Sequence, residues 1–186
     1  ITNLISLFSH KVRAYPMSLI IRQATLADSA LLNELGYRFY TAHFKHMWKS
    51  ESEFDNYLEG EYSLPVIEQS INDKNISWYI VEIEQPIGFV KLTWQATVPN
   101  TDISGVLLNK LYLAPTKTNQ HYGQLMFNKV IDLARSQGKK YLWLEVLEQN
   151  ERAQKFYKKQ GMKHISDIIF ETNSQRSILK LMGMCI

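Results

Sequence analysis

The spacing of apolar positions changes repeatedly along the chain, and each change marks a new element. Leu19 to Gln23 is short and β-branched, which predicts a strand. Leu31, Leu32, Leu35 and Phe39 then recur at helical spacing behind Asp28, a residue whose carboxylate can cap a helix start. From His43 to Tyr62 the pattern is polar, aromatic and irregular, and Ser63 opens a short helix carrying Val66, Ile67 and Ile71. Ile76 to Ile83 and Ile87 to Trp94 read as two strands turned at Gln85 and Pro86, and Val106 to Leu113 as a third. Leu125, Met126, Val130, Ile131 and Leu133 place a helix from Gly123 to Ser136, which Gly138 ends. Tyr141 to Leu147 is a continuously apolar strand of the kind buried on both faces. A helix bearing Ala153, Phe156 and Tyr157 stops at Gly161, and two last strands fit Ile165 to Phe170 and Ser177 to Met182.

That order, βααβββαβαββ, predicts an α/β (α+β) domain. It has one mixed, mostly antiparallel sheet of about seven strands with helices on both faces. Neither a repeat nor a linker divides it, so residues 17–186 read as one domain. Residues 1–16 stand apart: Ile1, Leu4, Ile5, Phe8 and Val12 fall at helical spacing, and no acidic residue precedes Asp28. The segment has the look of an amphipathic targeting sequence without an A-x-A-like cleavage site. We read it instead as a helical extension packed on the domain or on a partner chain.

Composition narrows the classes. The 186 residues suffice to bury a core, and no apolar run is long enough to span a bilayer. A net charge of +3, spread along the chain, gives little reason to expect nucleic acid as a partner. The single cysteine, Cys185, rules out a disulfide scaffold and a cysteine-rich zinc site, so no metal is expected and a reducing cytoplasm fits best.

Two stretches carry candidate chemistry. From Lys110 a strand runs through a polar loop into a helix. A helix start of this kind presents unpaired amides and the positive end of a dipole, which favour a phosphate. Strand–loop–glycine–helix is equally an ordinary connection. The second stretch is "WLEVLEQNERAQKFYKKQGM", Trp143 to Met162. Tyr157 follows Asn150 by seven residues, two helical turns, and so shares its face. Read as structure alone, Asn150 caps the helix and Tyr157 packs in the core.

Together these stretches resemble the GNAT acyl-CoA-dependent N-acetyltransferases, from Leu19 to about Met182. "NKLYLAP" is similar to that family's central strand, and "NERAQKFYKKQGM" to its late strand–helix signature. Ser52 to Asp73, with "FDNYLEGEYSLPVIEQSI", is loosely similar to the branch holding bacterial spermidine/spermine N-acetyltransferases.

The resemblance implies acetyl-CoA as co-substrate, its pantetheine arm lying along Leu111, Tyr112 and Leu113 where that strand splays from the one near Tyr141. It implies a pyrophosphate on Asn119, Gln120, His121, Tyr122, Gly123 and Gln124, an Asn150 bond to the cofactor arm, and Tyr157 as the acid near the sulfur. The expected activity is acetyl transfer to a primary amine in a ternary complex. The acceptor would be a small cation such as a polyamine, recruited by Glu51, Glu53, Asp55, Glu59 and Glu61, unless those residues merely solvate a loop. The alternative is a catalytically weak member that binds CoA or a protein partner. A homodimer is left open.

Two positions depart from the family's pattern. Where the phosphate loop usually reads Gln/Arg-x-x-Gly-x-Gly/Ala, this chain has Thr118, His121 and Gly123. A non-glycine residue in the left-handed region costs about 1–2 kcal/mol. His121 either carries that strain, points its ring at a phosphate, or is a plain surface residue. On the strand, the usual glutamate base falls at Leu107 or Asn109, neither of which can take a proton. Glu82, Glu145 or a histidine near His43 are the substitutes.

Overall fold

The computed structural model describes residues 18–186. The expected helical extension at residues 1–16 lies outside them.

Seven strands form one sheet in the order β1-β2-β3-β4-β5-β7-β6. They are β1 (Ile20–Gln23), β2 (Ile76–Ile83), β3 (Gln85–Thr97), β4 (Ser104–Leu113), β5 (Tyr141–Leu147), β6 (Lys163–Glu171) and β7 (Arg176–Cys185). Every neighbouring pair is antiparallel except β4 and β5, which run parallel. Five helices cover the sheet: α1 (Ser29–Phe44), α2 (Glu51–Tyr62), α3 (Leu64–Asn72), α4 (Tyr122–Ser136) and α5 (Glu151–Lys159). The expected mixed sheet with helices on both faces is thus the fold observed.

Two cores separate the layers. Leu32, Leu35 and Phe39 of α1 and Phe54, Leu58 and Tyr62 of α2 pack with Trp78, Ile80 and Phe89 on one face of the sheet. Met126, Phe127, Val130 and Ala134 of α4 pack with Leu108, Leu142, Leu144 and Val146 on the other, and α5 adds Phe156 and Tyr157. Each helix turns one apolar stripe inward, as amphipathic spacing requires.

The largest difference from the sequence reading is α2, expected to be irregular. Phe54, Leu58 and Tyr62 recur every fourth residue and are almost fully buried. The Glu53 amide donates to Ser50 Oγ (3.3 Å), and Glu51 and Glu53 sit in the first turn at the positive end of the helix dipole. Dense charge between sparse apolar positions hid this period.

Smaller shifts follow from local bonding. The β2–β3 turn centres on Glu84, at φ 59°, while Gln85 and Pro86 belong to β3. Asp28 precedes α1 without capping it. Its carboxylate instead accepts from the Arg22 guanidinium (2.9 and 3.0 Å) and from the Thr25 amide (2.8 Å), and Arg22 holds its pKa below the ordinary carboxylate range.

Candidate active site

β4 and β5 pair only at Val106 with Leu142 and Leu107 with Trp143. Gly105 closes this end: a Cβ there would lie 2.4 Å from the Tyr141 carbonyl oxygen, so only glycine allows the approach. Beyond Leu107 the strands part. The β4 backbone then has no strand partner on that side, and unpaired amides and carbonyls require another one.

A second irregularity sits at the same place. Lys91 pairs with Lys110 but Leu92 pairs with Leu108, which leaves Asn109 as an extra residue, a β-bulge. The bulge resets the alternation: Leu108 faces the α4 layer, whereas Lys110 and Tyr112 turn toward α1 and α2. Parting and bulge together open a cleft of about 1030 Å³ through the sheet.

One side of the cleft is bounded by Leu111 to Leu113, the loop before α4 and the start of α5. In that loop Asn119 (φ 63°) and His121 (φ 62°, ψ 0°) both adopt the left-handed conformation. Asn119 is among the residues that tolerate it, and its Oδ1 accepts from Arg152 of α5 (2.8 Å). His121 immediately precedes α4 and caps it with no side-chain bond. Gly123 lies within the first turn of α4, and a Cβ there would meet nothing closer than 3.8 Å. The glycine of the loop is therefore not where backbone freedom is used.

Asn150 caps α5, its Oδ1 accepting from the Ala153 amide (3.1 Å), and it also borders the cleft. Tyr157 packs on Phe127 and Phe156 and reaches the same space. Burial alone raises its pKa above that of an ordinary phenol, with no hydrogen bond or charge contributing. Of the residues singled out in the sequence, Leu111, Tyr112, Leu113, Asn119, His121, Gly123, Gln124, Asn150 and Tyr157 border the cleft. Gln120 and Tyr122 do not: the Gln120 amide donates to the Thr116 carbonyl (3.1 Å), and Tyr122 packs against the core.

The other side of the cleft lies beneath α1 and α2 and is built from rings: Tyr40, Phe44, Trp48, Tyr57, Tyr112 and Phe170. His43 ties it to the strand, its Nε2 donating to the Leu113 carbonyl (2.7 Å).

The profile of the acetyltransferase (GNAT) family matches residues 40–162. The chain belongs to that family. It is an acyl-CoA-dependent acetyltransferase, with acetyl-CoA as its co-substrate.

An uncharacterised N-acetyltransferase of Lactobacillus delbrueckii subsp. lactis is 25% identical over 121 residues, 59% of this chain and 70% of that protein. The fold matches the PaiA N-acetyltransferase of Thermoplasma acidophilum, solved with coenzyme A: TM-score 0.66, 21% identity, 88% of this chain and 98% of that one. It also matches the spermidine/spermine N-acetyltransferase SpeG of Vibrio cholerae: TM-score 0.61, 17% identity, 90% and 95%.

In a GNAT enzyme the parted strands and the loop before α4 are the surfaces a CoA can occupy, and here the residues fit. The unpaired β4 edge suits a pantetheine amide chain. The start of α4, with Arg152 and Lys159 beside it, suits a pyrophosphate.

Among the substitutes for the missing strand glutamate, Glu82 is excluded by position. It bonds Arg22 (3.2 and 3.3 Å) toward the β1 edge and does not border the cleft. Glu145 does border it. Leu144 and Val146 face the α4 layer, so Glu145 turns toward the α1 and α2 side, where it stays open to the cleft while the surrounding protein partly desolvates its carboxyl and raises its pKa.

The acidic segment is mostly engaged elsewhere. Glu51 pairs with Lys45 (2.9 Å), Glu59 accepts from the Tyr37 hydroxyl (2.7 Å), and Glu53 holds Thr172 (2.7 Å) and Ser174 of the β6–β7 turn. Of the five, Glu61 alone borders the cleft, paired with Lys110 (2.7 Å).

Sequence reasoning missed Lys91, Lys110 and the aromatic wall. A signal was present for the lysines: each is a lone charge inside an otherwise apolar strand, "GFVKLTW" and "LLNKLYL".

Proposed function

We propose that this GNAT enzyme moves the acetyl group of acetyl-CoA directly to a primary amine of a small molecule, in a ternary complex entered from opposite sides of the sheet. The observation that carries the reading is the parting of β4 from β5. It makes one cleft in which a backbone edge, Tyr157 and Glu145 all face the same space.

The roles follow from the chemistry. An alkylamine enters as an ammonium, and at pH 7 its deprotonation costs roughly 5 kcal/mol. Glu145, with its raised pKa, takes that proton. Attack on the thioester carbon builds an oxyanion, which an amide of the unpaired β4 edge stabilises. The carbon–sulfur bond breaks, Tyr157 protonates the departing thiolate, whose intrinsic pKa is about 8.5, and the attacking nitrogen gives up its second proton to solvent, from which the phenol is restored. Asn150, already fixed as a cap, holds the cofactor arm beside it.

The polyamine expectation is supported by fold neighbours such as SpeG. It is weakened by the engagement of Glu51, Glu53 and Glu59 within the fold. We therefore keep the primary amine and do not extend the proposal to a polyamine.

CoA release across a panel of amines, amino acids and peptides tests the reading. Turnover on at least one primary amine is expected. Thermal stabilisation by acetyl-CoA with no turnover on any acceptor would favour the alternative of a weak catalyst that binds CoA.

A further inference from the structure

The acceptor side holds a charge the proposed reaction does not use. Lys110 is 5% exposed, and its ammonium is matched by Glu61 at 2.7 Å. Lys91 lies opposite Lys110 on β3, borders the cleft, and sits with its Nζ 5.1 Å from the Trp78 ring centre. Among the described residues no carboxylate comes within ion-pair distance of it, and no hydrogen-bond acceptor meets it. Around Lys91 two ammonium groups face one carboxylate; Glu145, the cleft's other carboxylate, stands on β5 beyond β4 and serves the amine instead. Burial, then the nearby Lys110, lower the Lys91 pKa, the expected response of a cation short of an anion.

The surrounding groups are donors. The hydroxyls of Tyr40, Tyr57, Tyr62 and Tyr112 lie near one another and near Glu61. Burial raises the pKa of each, so all four stay protonated and can donate. Of these, Tyr40, Tyr57 and Tyr112 border the cleft together with Lys91. A half-buried cation without a carboxylate, set among phenol donors, calls for an anion.

We propose that the acceptor is an amine carrying a carboxylate at its far end, with Lys91 as the residue that selects it. This rests on the acetyl-transfer reading. The amine faces Tyr157, and the carboxylate reaches back along β4 to Lys91 between the tyrosine rings. Lys91 stands on β3, one strand beyond the β4 edge, so the carboxylate must lie several bonds from the amine.

The test compares ω-aminoalkanoates of three to six carbons with alkylamines and α,ω-diamines of equal length. The best aminoalkanoate should exceed its alkylamine and its diamine by about tenfold or more in kcat/KM. Lys91→Met should remove that advantage, lowering the aminoalkanoate rate by about tenfold more than the alkylamine rate, while Lys91→Arg should keep part of it. A preference for the diamine at every length, or equal losses on all three classes in Lys91→Met, would overturn the proposal.

A second measurement does not depend on turnover. The N-acetylated aminoalkanoates should bind the protein–CoA complex more tightly than the N-acetylated alkylamines, and Lys91→Met should abolish the difference. Equal binding would overturn the assignment of Lys91. Tighter carboxylate binding with no turnover on any amine would instead count against the acetyl-transfer reading, and with it the acceptor, while keeping Lys91 as the carboxylate-binding residue.

Discussion

The two sides of the cleft are built from different materials. The cofactor side is backbone: a strand edge freed where β4 leaves β5, and the first turn of α4. The acceptor side is side chain: six aromatic rings, a paired lysine and glutamate, and Lys91. Backbone surfaces survive substitution because amides and dipoles are the same for nearly every residue. With CoA placed there as we propose, that side can carry His121, left-handed at φ 62°, where the family resemblance puts glycine. On the acceptor side, by contrast, each residue's identity defines the surface, and one exchange redefines what fits.

The largest expected effect lies where the two sides meet. Tyr157→Phe keeps the ring on Phe127 and Phe156 and removes only the hydroxyl. Turnover should fall by roughly 10²–10⁴-fold, with CoA affinity unchanged in calorimetry. An unaltered rate would return Tyr157 to a packing role and leave the cofactor side without a catalytic side chain.

Glu145→Gln comes next, with an expected loss of about 10²-fold in kcat/KM. The sign of the pH effect follows from its raised pKa. The base form exists only above that value, so wild-type activity should decline with falling pH at a point above the ordinary carboxylate range. The variant should lose that limb of the profile. A limb that persists in Glu145→Gln would assign the base to another group.

For the acceptor side's stability the informative exchange is Glu61→Ala. It leaves the Lys110 ammonium, 5% exposed, without its carboxylate. Glu61 is itself about one-third exposed, so the loss should be below the full buried-pair figure, about 2–3 kcal/mol in denaturant unfolding. Lys110→Met should cost less, because Glu61 can turn to water. Equal losses would mean that the pair is not asymmetric.

The smallest effect belongs to the cofactor loop. His121→Gly removes a left-handed penalty and should tighten CoA binding by about 1–2 kcal/mol, similarly at pH 5.5 and pH 8. Were the ring a phosphate ligand, the substitution would weaken binding instead. No response to the substitution would detach His121 from the cofactor altogether.

Much of this molecule was legible in one dimension. The alternation of Ile76 to Trp94, the apolar run Tyr141 to Leu147 and the helical spacing of Leu125 to Leu133 are local signals. Among the described residues they yielded the seven strands and every α-helix but α2, whose stripe at Phe54, Leu58 and Tyr62 was thin and surrounded by charge. Asn150, Tyr157 and the left-handed position at His121 were likewise marked by short motifs. What local spacing could not reveal depends on partners distant in the chain. Glu53 looked available for a substrate until the β6–β7 turn, some 120 residues on, was found against it. Glu82 looked as good a base as Glu145 until the sheet order set Glu82 toward the β1 edge. Lys91 and Lys110 stand out in the sequence as lone charges in apolar strands, but only the bulge at Asn109 turns Lys110 toward α2. Sequence determines which elements form, because hydrophobic period and capping act over a few residues. Only the tertiary structure decides which charges find partners, because burial brings together groups from opposite ends of the chain and leaves Lys91 over.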